Sequence, residues 1–466
     1  MKPANNIDIL AKTNVQKAFW ALILPTILSQ LVAVIYNITD SFWIGQLNDT
    51  AQFAAAFLCG PAFLVLVGIS NIFGVGGASL IARCLGEKNI SKAKSTCAFC
   101  IWTALLCSGL YSILFYVFRF PILHAIGATA ETYFYTEQYA LWTIVLGGIP
   151  ATFTGLFGHL IRSEGYAKQA SFGMIIGLVS NIILDPVFIF TLHFEIAGAA
   201  IATVLSMCIG CLYFISFFLK QHHRSALTLN PRHYSARNHI ASEVLLVGLP
   251  STLMNFMALF SHVILNVLTA SYSTAAITGM GVAKRIDLIV FAVTNGIGQG
   301  VLPLIAYNYA ARNFQRMTAA IRTTFFYTFS FAIIMTLCLF FGAHKITSLF
   351  IQNSDAITYG QQFLQTICLT CPFFSVTLIF LTLFQAIGKK VQPIILSLLR
   401  KGGIDIPLMF ILNHLIGLTG IAWAFPIEDI LSFTLGLILF SKIWTELSFQ
   451  KKQNLKKRIA IHKNVC

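Results

Sequence analysis

Two carboxylates stand inside apolar runs, where charge is expensive. Asp40 lies towards the end of a run from about Phe19 to Ile44 that also carries Pro25, Gln30, Tyr36 and Asn37. Asp185 lies in Asn181-Ile182-Ile183-Leu184-Asp185-Pro186. There, Asn181 and Asp185 are four residues apart and share one helix face. Pro186 has no N–H to donate, so a carbonyl of the preceding turn goes unbonded. Carboxylate, amide and free carbonyl oxygens are the hard ligands that a small cation takes. At membrane depth each charge costs about 2.5–3.5 kcal/mol on insertion scales unless it is paired, hydrated or protonated. If Asp40 and Asp185 meet, both cannot stay ionised cheaply, and the pair becomes a proton carrier or a cation site. Two plainer readings stay open at this point. Asp40 could sit at the water interface beside the polar turn from Gln46 to Thr50, and Asp185 could cap a broken helix or pair with a basic residue.

The second half of the chain carries a different set. Lys284, Arg285 and Asp287 fall in one apolar run, Arg400, Lys401 and Asp405 in another, and Glu428 with Asp429 in the last. Mutual salt bridging is the plain reading. The sharper one is a lobe that attracts anions, which would place Lys284, Arg285, Asp287, Arg400, Lys401 and Asp405, with Gln30, Tyr36 and Asn37, around a substrate cavity. His159, His262 and Asn71 read as helix-packing hydrogen bonders. The eleven cysteines are scattered; Cys97 and Cys100 have no second pair to complete a metal site. No nucleophile or metal constellation suggests an enzyme, and no cofactor is expected beyond a coupling ion.

These residues need a membrane to be positioned in. Hydrophobic residues make up 57% of the chain and charged residues 10%, with a mean hydropathy of +0.78. Soluble domains run near 25% charged, so the chain reads as an integral membrane protein. The first apolar run is too long for a cleaved signal and lacks a small-residue cleavage site. Apolar runs bounded by polar turns predict helices at roughly 19–45, 53–82, 96–118, 134–159, 170–191, 197–219, 244–270, 276–307, 323–343, 358–385, 393–412 and 419–441. The 31 Lys and Arg sort cleanly on this count. Twenty-five fall on the side of the termini, including Lys2, Arg83, Arg162, Arg224, Arg312 and the tail, two (Arg119 and Lys345) on the other side, and four within helices. That bias puts both termini in the cytoplasm, so the net charge of +15 follows topology and is no nucleic-acid signal.

The chain also repeats itself. Pro25 is echoed by Pro250, Asn89 by Asn313, Gly165 by Gly388, Pro186 by Pro407 and Gly198 by Gly420, at offsets of 221–225 residues. Each half has six helices, so the halves start on the same side and are related by an axis along the membrane normal. The predicted organisation is a cytoplasmic segment 1–18, an N-lobe 19–219, a linker 220–243, a C-lobe 244–441 and a basic tail 442–466. Two six-helix lobes around a pseudo-twofold axis make a transporter whose lobes rock about a mid-membrane site.

With these residues in hand, the chain resembles the multidrug and toxic compound extrusion (MATE) transporters, in particular their DinF- and MepA-like branch. The resemblance runs from about Phe19 to Lys442. It is carried by Pro25 with Asp40, by Asn181-x3-Asp185-Pro186, by Gly198-Ala199-Ala200-Ile201-Ala202-Thr203, and by Gln299-Gly300-Val301-Leu302-Pro303-Leu304-Ile305-Ala306-Tyr307-Asn308-Tyr309. It implies an efflux antiporter in which entry of H+ or Na+ drives export. It further implies a cation site at Asp40, Asn181, Asp185 and Thr203, with a bend at Pro25 that couples ion binding to cavity shape. The C-half carboxylates that bind cations in another branch are missing here, with none on helix 7 after Glu243 and none on helix 10. The expected substrate is a small molecule, cationic or amphipathic. The expected setting is a monomer spanning the bacterial plasma membrane among its lipids. A lipid-linked or polysaccharide flippase is the alternative, favoured by the C-half cations and opposed by a count of twelve helices.

Overall fold

The computed structural model describes residues 7–47, 49–221, 225–237 and 239–463, with side chains as far as residue 446. Lys2 and Arg224, and the side chains of the tail from Lys451 to Lys463, lie outside that description.

Twelve spans follow one another among the described residues. They are α1 Val15–Gly45, α2 Thr50–Gly86, α3 Ile90–Val117, α4 (Tyr133–Leu146 and Gly148–Ser163, bent by 50°), α5 Ala167–Thr191 and α6 Glu195–Gln221. The second half has α7 Ile240–Ala270, α8 Thr274–Ala310, α9 Phe314–Phe350 and α10 (Ser354–Cys368 and Cys371–Ala386, bent by 47°). It closes with α11 (Val391–Leu398, a π-helical turn Leu399–Ile404, then Asp405–Ile416) and α12 Leu418–Lys463. Hydropathy alone passes nine spans plus the two bent pairs. The charged turn Arg400-Lys401 keeps α11 from passing. Most boundaries fall within a few residues of those predicted. α12 runs well beyond residue 441, and a short helix Ile7–Ala11 precedes α1.

The repeat has a structural meaning. Asn89 and Asn313 both cap a helix start, their side-chain oxygens accepting from the N–H groups of Lys92 and Arg316, which satisfies an otherwise orphaned donor. The residue before each, Lys88 and Arg312, takes a positive φ of 61° and 54°. Gly165 and Gly388, in the turns after α4 and α10, have φ of 89° and 74°, a region open chiefly to glycine.

The two lobes meet along paired seams, α1 on α8 and α2 on α7. Glycine makes both seams. A Cβ at Gly76 would overlap the Val244 carbonyl, and one at Gly248 would overlap the Ile72 carbonyl. On the other seam, Gly296 and Gly300 lie against the α1 backbone at Ile27 and Ile23. Small residues allow this backbone-to-backbone approach in lipid. The seams also trade partners: Phe19, Leu22 and Ile23 of α1 enter the core built by α8, α9, α10 and α12. Ile240 and Val244 of α7 enter the core of the first half. All these contacts lie on the side of the membrane that holds the termini.

Two connecting segments are anchored. The carbonyls of Ile9 and Leu10 accept from the Arg316 guanidinium at 2.9 Å each, tying the N-terminal helix to the second lobe. The linker is tied to the first lobe. Glu164 accepts from the Ser225 hydroxyl at 2.5 Å and the Ala226 N–H at 2.7 Å. The Thr228 N–H donates to Cys97 Sγ, and Trp102 Nε1 donates to the Leu229 carbonyl.

Candidate functional site

α5 and α6 build the first site. The Asn181 amide donates to Asp185 Oδ1 at 3.0 Å and to Thr203 Oγ1 at 3.3 Å. The four-residue spacing on α5 makes the first bond and the small-residue face of α6 brings Thr203 close enough for the second. Exposure is 1% at Asn181, 0% at Asp185 and 4% at Thr203. α1 supplies Asp40, within electrostatic reach of Asp185. It also supplies Tyr36, which lies within electrostatic reach of Asp40 and Asp185 and beside the Thr203 side chain. Tyr139 of α4 lies within electrostatic reach of the same two carboxylates.

Three buried oxygens in this chamber have no hydrogen-bond partner: Asp40 Oδ1, Asn181 Oδ1 and Asp185 Oδ2. A buried oxygen without a donor costs about 1–3 kcal/mol, more when charged. Two carboxylates, a carboxamide oxygen and a hydroxyl, with no Lys or Arg beside them, fit a proton or a small monovalent cation. Na+ would be held by oxygens of Asp40, Asn181, Asp185 and Thr203.

The other expected site residues lie apart from this chamber. α1 passes Pro25 as one helix. Asn37 is exposed and its amide donates to the Ala33 carbonyl of its own helix at 2.8 Å. Gln30 donates to Gln299 across the α1–α8 seam at 3.3 Å. Within the second lobe, Arg400 bonds Asp429 at 3.1 Å and approaches Glu428 at 3.4 Å. Lys401 bridges Asp405 at 3.1 Å and Glu428 at 3.0 Å, and Lys284 bonds Asp287 at 2.6 Å. The ring of Phe425 touches both Lys284 and Lys401. Arg285 points away and is exposed.

A cavity of about 80 Å³ lies between the lobes, lined among others by Asn71, His159, Arg162, Asn255, Gln299 and Gln385. None of Lys284, Arg285, Asp287, Arg400, Lys401 and Asp405 lines it, nor do Gln30, Tyr36 and Asn37. These nine residues therefore lie outside the lining of this particular space. The reason is helical phase, since α11 and α12 turn their charges towards each other inside the lobe. His159 and Asn71 line the cavity. Arg162, counted with the loops on sequence, is 2% exposed in the last turn of α4. Its spacing of three from His159 was the available signal, because it puts both on one face.

The family model described as MatE matches this chain twice, over residues 25–187 and 250–411, once in each lobe. The chain belongs to the MatE family. MatE proteins are transporters, not enzymes, and the two matched segments begin at Pro25 and Pro250, the first echo of the repeat. The chain is 31% identical over 424 residues to the multidrug export protein MepA of Staphylococcus aureus strain MSSA476, covering 90% of this chain and 92% of that one. It is 29% identical over 444 residues to MepA of Staphylococcus haemolyticus, covering 94% and 96%. Its fold superposes on the crystal structure of a MATE protein in the straight conformation with a TM-score of 0.89. There the identity is 23%, over 97% of this chain and 100% of that one.

Proposed function

We propose that this MatE protein is a secondary multidrug exporter, in which H+ or Na+ entering at Asp40, Asn181, Asp185 and Thr203 drives a small molecule out by alternating access. The observation that carries this reading is the set of three buried side-chain oxygens, on α1 and α5, without a hydrogen-bond partner among the described residues. A cation there offsets their cost and draws α1 towards α5. α1 is also one face of the α1–α8 seam, so its position bears directly on whether the lobes stay together. Pro25, with no N–H to hold it to the preceding turn, is where α1 would flex.

The bias of the basic segments supports a reading with both termini in the cytoplasm of a bacterial plasma membrane. On that assignment the glycine seams close the cytoplasmic side. The exposed apolar surfaces of Ile35, Ile38 and Phe42 on α1 and of Phe260, Val263 and Val267 on α7 belong to the opposite, outer half. The lobes act as the moving bodies, N-lobe 19–219 and C-lobe 244–441, joined by 220–243. The working unit is a monomer in lipid. Dye efflux from everted vesicles tests the reading, with the pH and Na+ gradients collapsed separately. Export should stop with one collapse and survive the other. Asp40→Asn should insert normally and export nothing; wild-type export by that variant would end the assignment.

A further inference from the structure

Lys284, Arg400 and Lys401 of the second lobe all have carboxylate partners. Arg162 does not. Its Nη1 donates to Gln299 Oε1 at 3.1 Å, its Nη2 faces only Met174 Sδ at 3.6 Å, and its Nε has no partner. Among the described residues no carboxylate comes within ion-pair distance of it. The Gln299 oxygen it touches is shared with Gln30. The cavity it faces is otherwise lined by amides, hydroxyls and His159, with no Asp or Glu, and by the apolar surfaces of Phe291, Leu378 and Leu381.

A guanidinium stays charged at any working pH and offers five N–H donors in a flat fork. Burying one against a single neutral oxygen is costly, and the cost is relieved by an anion that accepts two of those donors at once. We propose that Arg162 is an anion-recognition site in the cavity between the lobes, and that the transported molecules include amphiphiles carrying a carboxylate, sulfonate or phosphate beside an apolar body. This rests on the exporter reading, since it names a substrate class for the cavity that reading uses. About 80 Å³ equals roughly two to three water volumes of ~30 Å³. That suffices for an anionic head in the closed arrangement, and parting of the seams makes room for the tail. The anion displaces Gln299 from Arg162, so the contact that ties α4 to α8 is exchanged for a contact with cargo.

The test uses two ligands with the same tail and opposite heads, decanesulfonate and decyltrimethylammonium. Their binding to the purified full chain is measured by calorimetry below their micelle concentrations. Decanesulfonate should bind wild type about tenfold or more tighter than Arg162→Gln, while Arg162→Lys keeps most of the affinity. Decyltrimethylammonium should bind all three alike. Equal sulfonate binding by wild type and Arg162→Gln would overturn the proposal, as would equal losses of both ligands. Should Arg162→Gln fail to fold, Gln299→Leu decides. It frees the guanidinium, so sulfonate affinity should rise, and no rise means that Arg162 only pins the lobes together. Efflux of a cationic dye by wild-type vesicles is followed in parallel. Its absence counts against the exporter reading alone, and sulfonate binding indifferent to Arg162 counts against this proposal alone.

Discussion

The two lobes place acidic side chains at corresponding depths and treat them in opposite ways. Asp185 precedes Pro186 on α5, and Asp405 lies two residues before Pro407 on α11. Ser261, which donates to Asp405 at 2.6 Å, follows Tyr36 by 225 residues, the same spacing that separates the two family matches. In the first lobe the carboxylates keep partnerless oxygens and have no basic neighbour. In the second, the Lys401 ammonium lies between Asp405 and Glu428, and Arg400 is held by Asp429. The second lobe thus carries its cations covalently attached, where on the proposed reading the first would take one from solution. One duplicated scaffold therefore yields an ion-paired cluster on one side and a set of carboxylates without ion pairs on the other. What separates them is whether a Lys or Arg reaches the acids.

The sharpest way to break this contrast is to exchange the two behaviours. Asp185→Asn should abolish gradient-driven export yet leave thermal stability unchanged or raised, because it deletes a buried charge that has the Asn181 amide but no basic side chain for a partner. Lys401→Met should do the reverse to stability, costing about 3–5 kcal/mol, the usual penalty for stripping one member from a buried ion pair. Thermal unfolding in detergent reads both, and a large loss for Asp185→Asn would erase the distinction. Next in size, Lys401→Met combined with Glu428→Gln should recover part of that loss, since it removes both members of one bridge but leaves Asp405 without its cation.

A smaller effect belongs to the seams. Gly248→Val should hold α7 off α2, because a side chain there meets the Ile72 backbone. Faster amide exchange over residues 244–248, without unfolding of the lobes, is the expected result. The smallest concerns Glu164, in the turn after α4. Its burial raises the carboxyl above its ordinary range, against the pull of the Ser225 and Ala226 bonds. A raised acid favours the folded arrangement most at low pH and less as pH climbs through its folded value. Linker docking should therefore tighten on acidification, seen as slower exchange at Ala226 and Leu227, and Glu164→Gln should remove the pH dependence.

Much of the fold was legible because membrane physics writes it in large letters. Apolar runs of spanning length, the alternation of Lys and Arg, and echoes such as Asn89 with Asn313 report the solvent and the duplication directly. The juxtaposition of Asn181 with Asp185 was legible from helix spacing. That of Thr203 was legible only from a resemblance, because the contact crosses from α6 to α5. What sequence could not supply was helix phase. Arg400 and Lys401 sit mid-span and looked available to cargo, yet α11 turns them towards Glu428 and Asp429. Arg162 sits at a span end and looked like a loop charge, yet α4 turns it into the cavity. The bend within α4 and the π-helical turn of α11 shift such phases, and neither follows from a hydropathy pattern.

If the lobes rock as proposed, the staple on the linker would limit their travel. With Ser225, Ala226, Thr228 and Leu229 bound to the first lobe, about ten residues separate Leu229 from the start of α7 at Ile240, and Tyr234 among them packs on Phe99 of α3. Fully stretched, such a leash reaches no more than about 33–36 Å. Lengthening it would leave both chambers intact and change only how far, and how fast, the halves part.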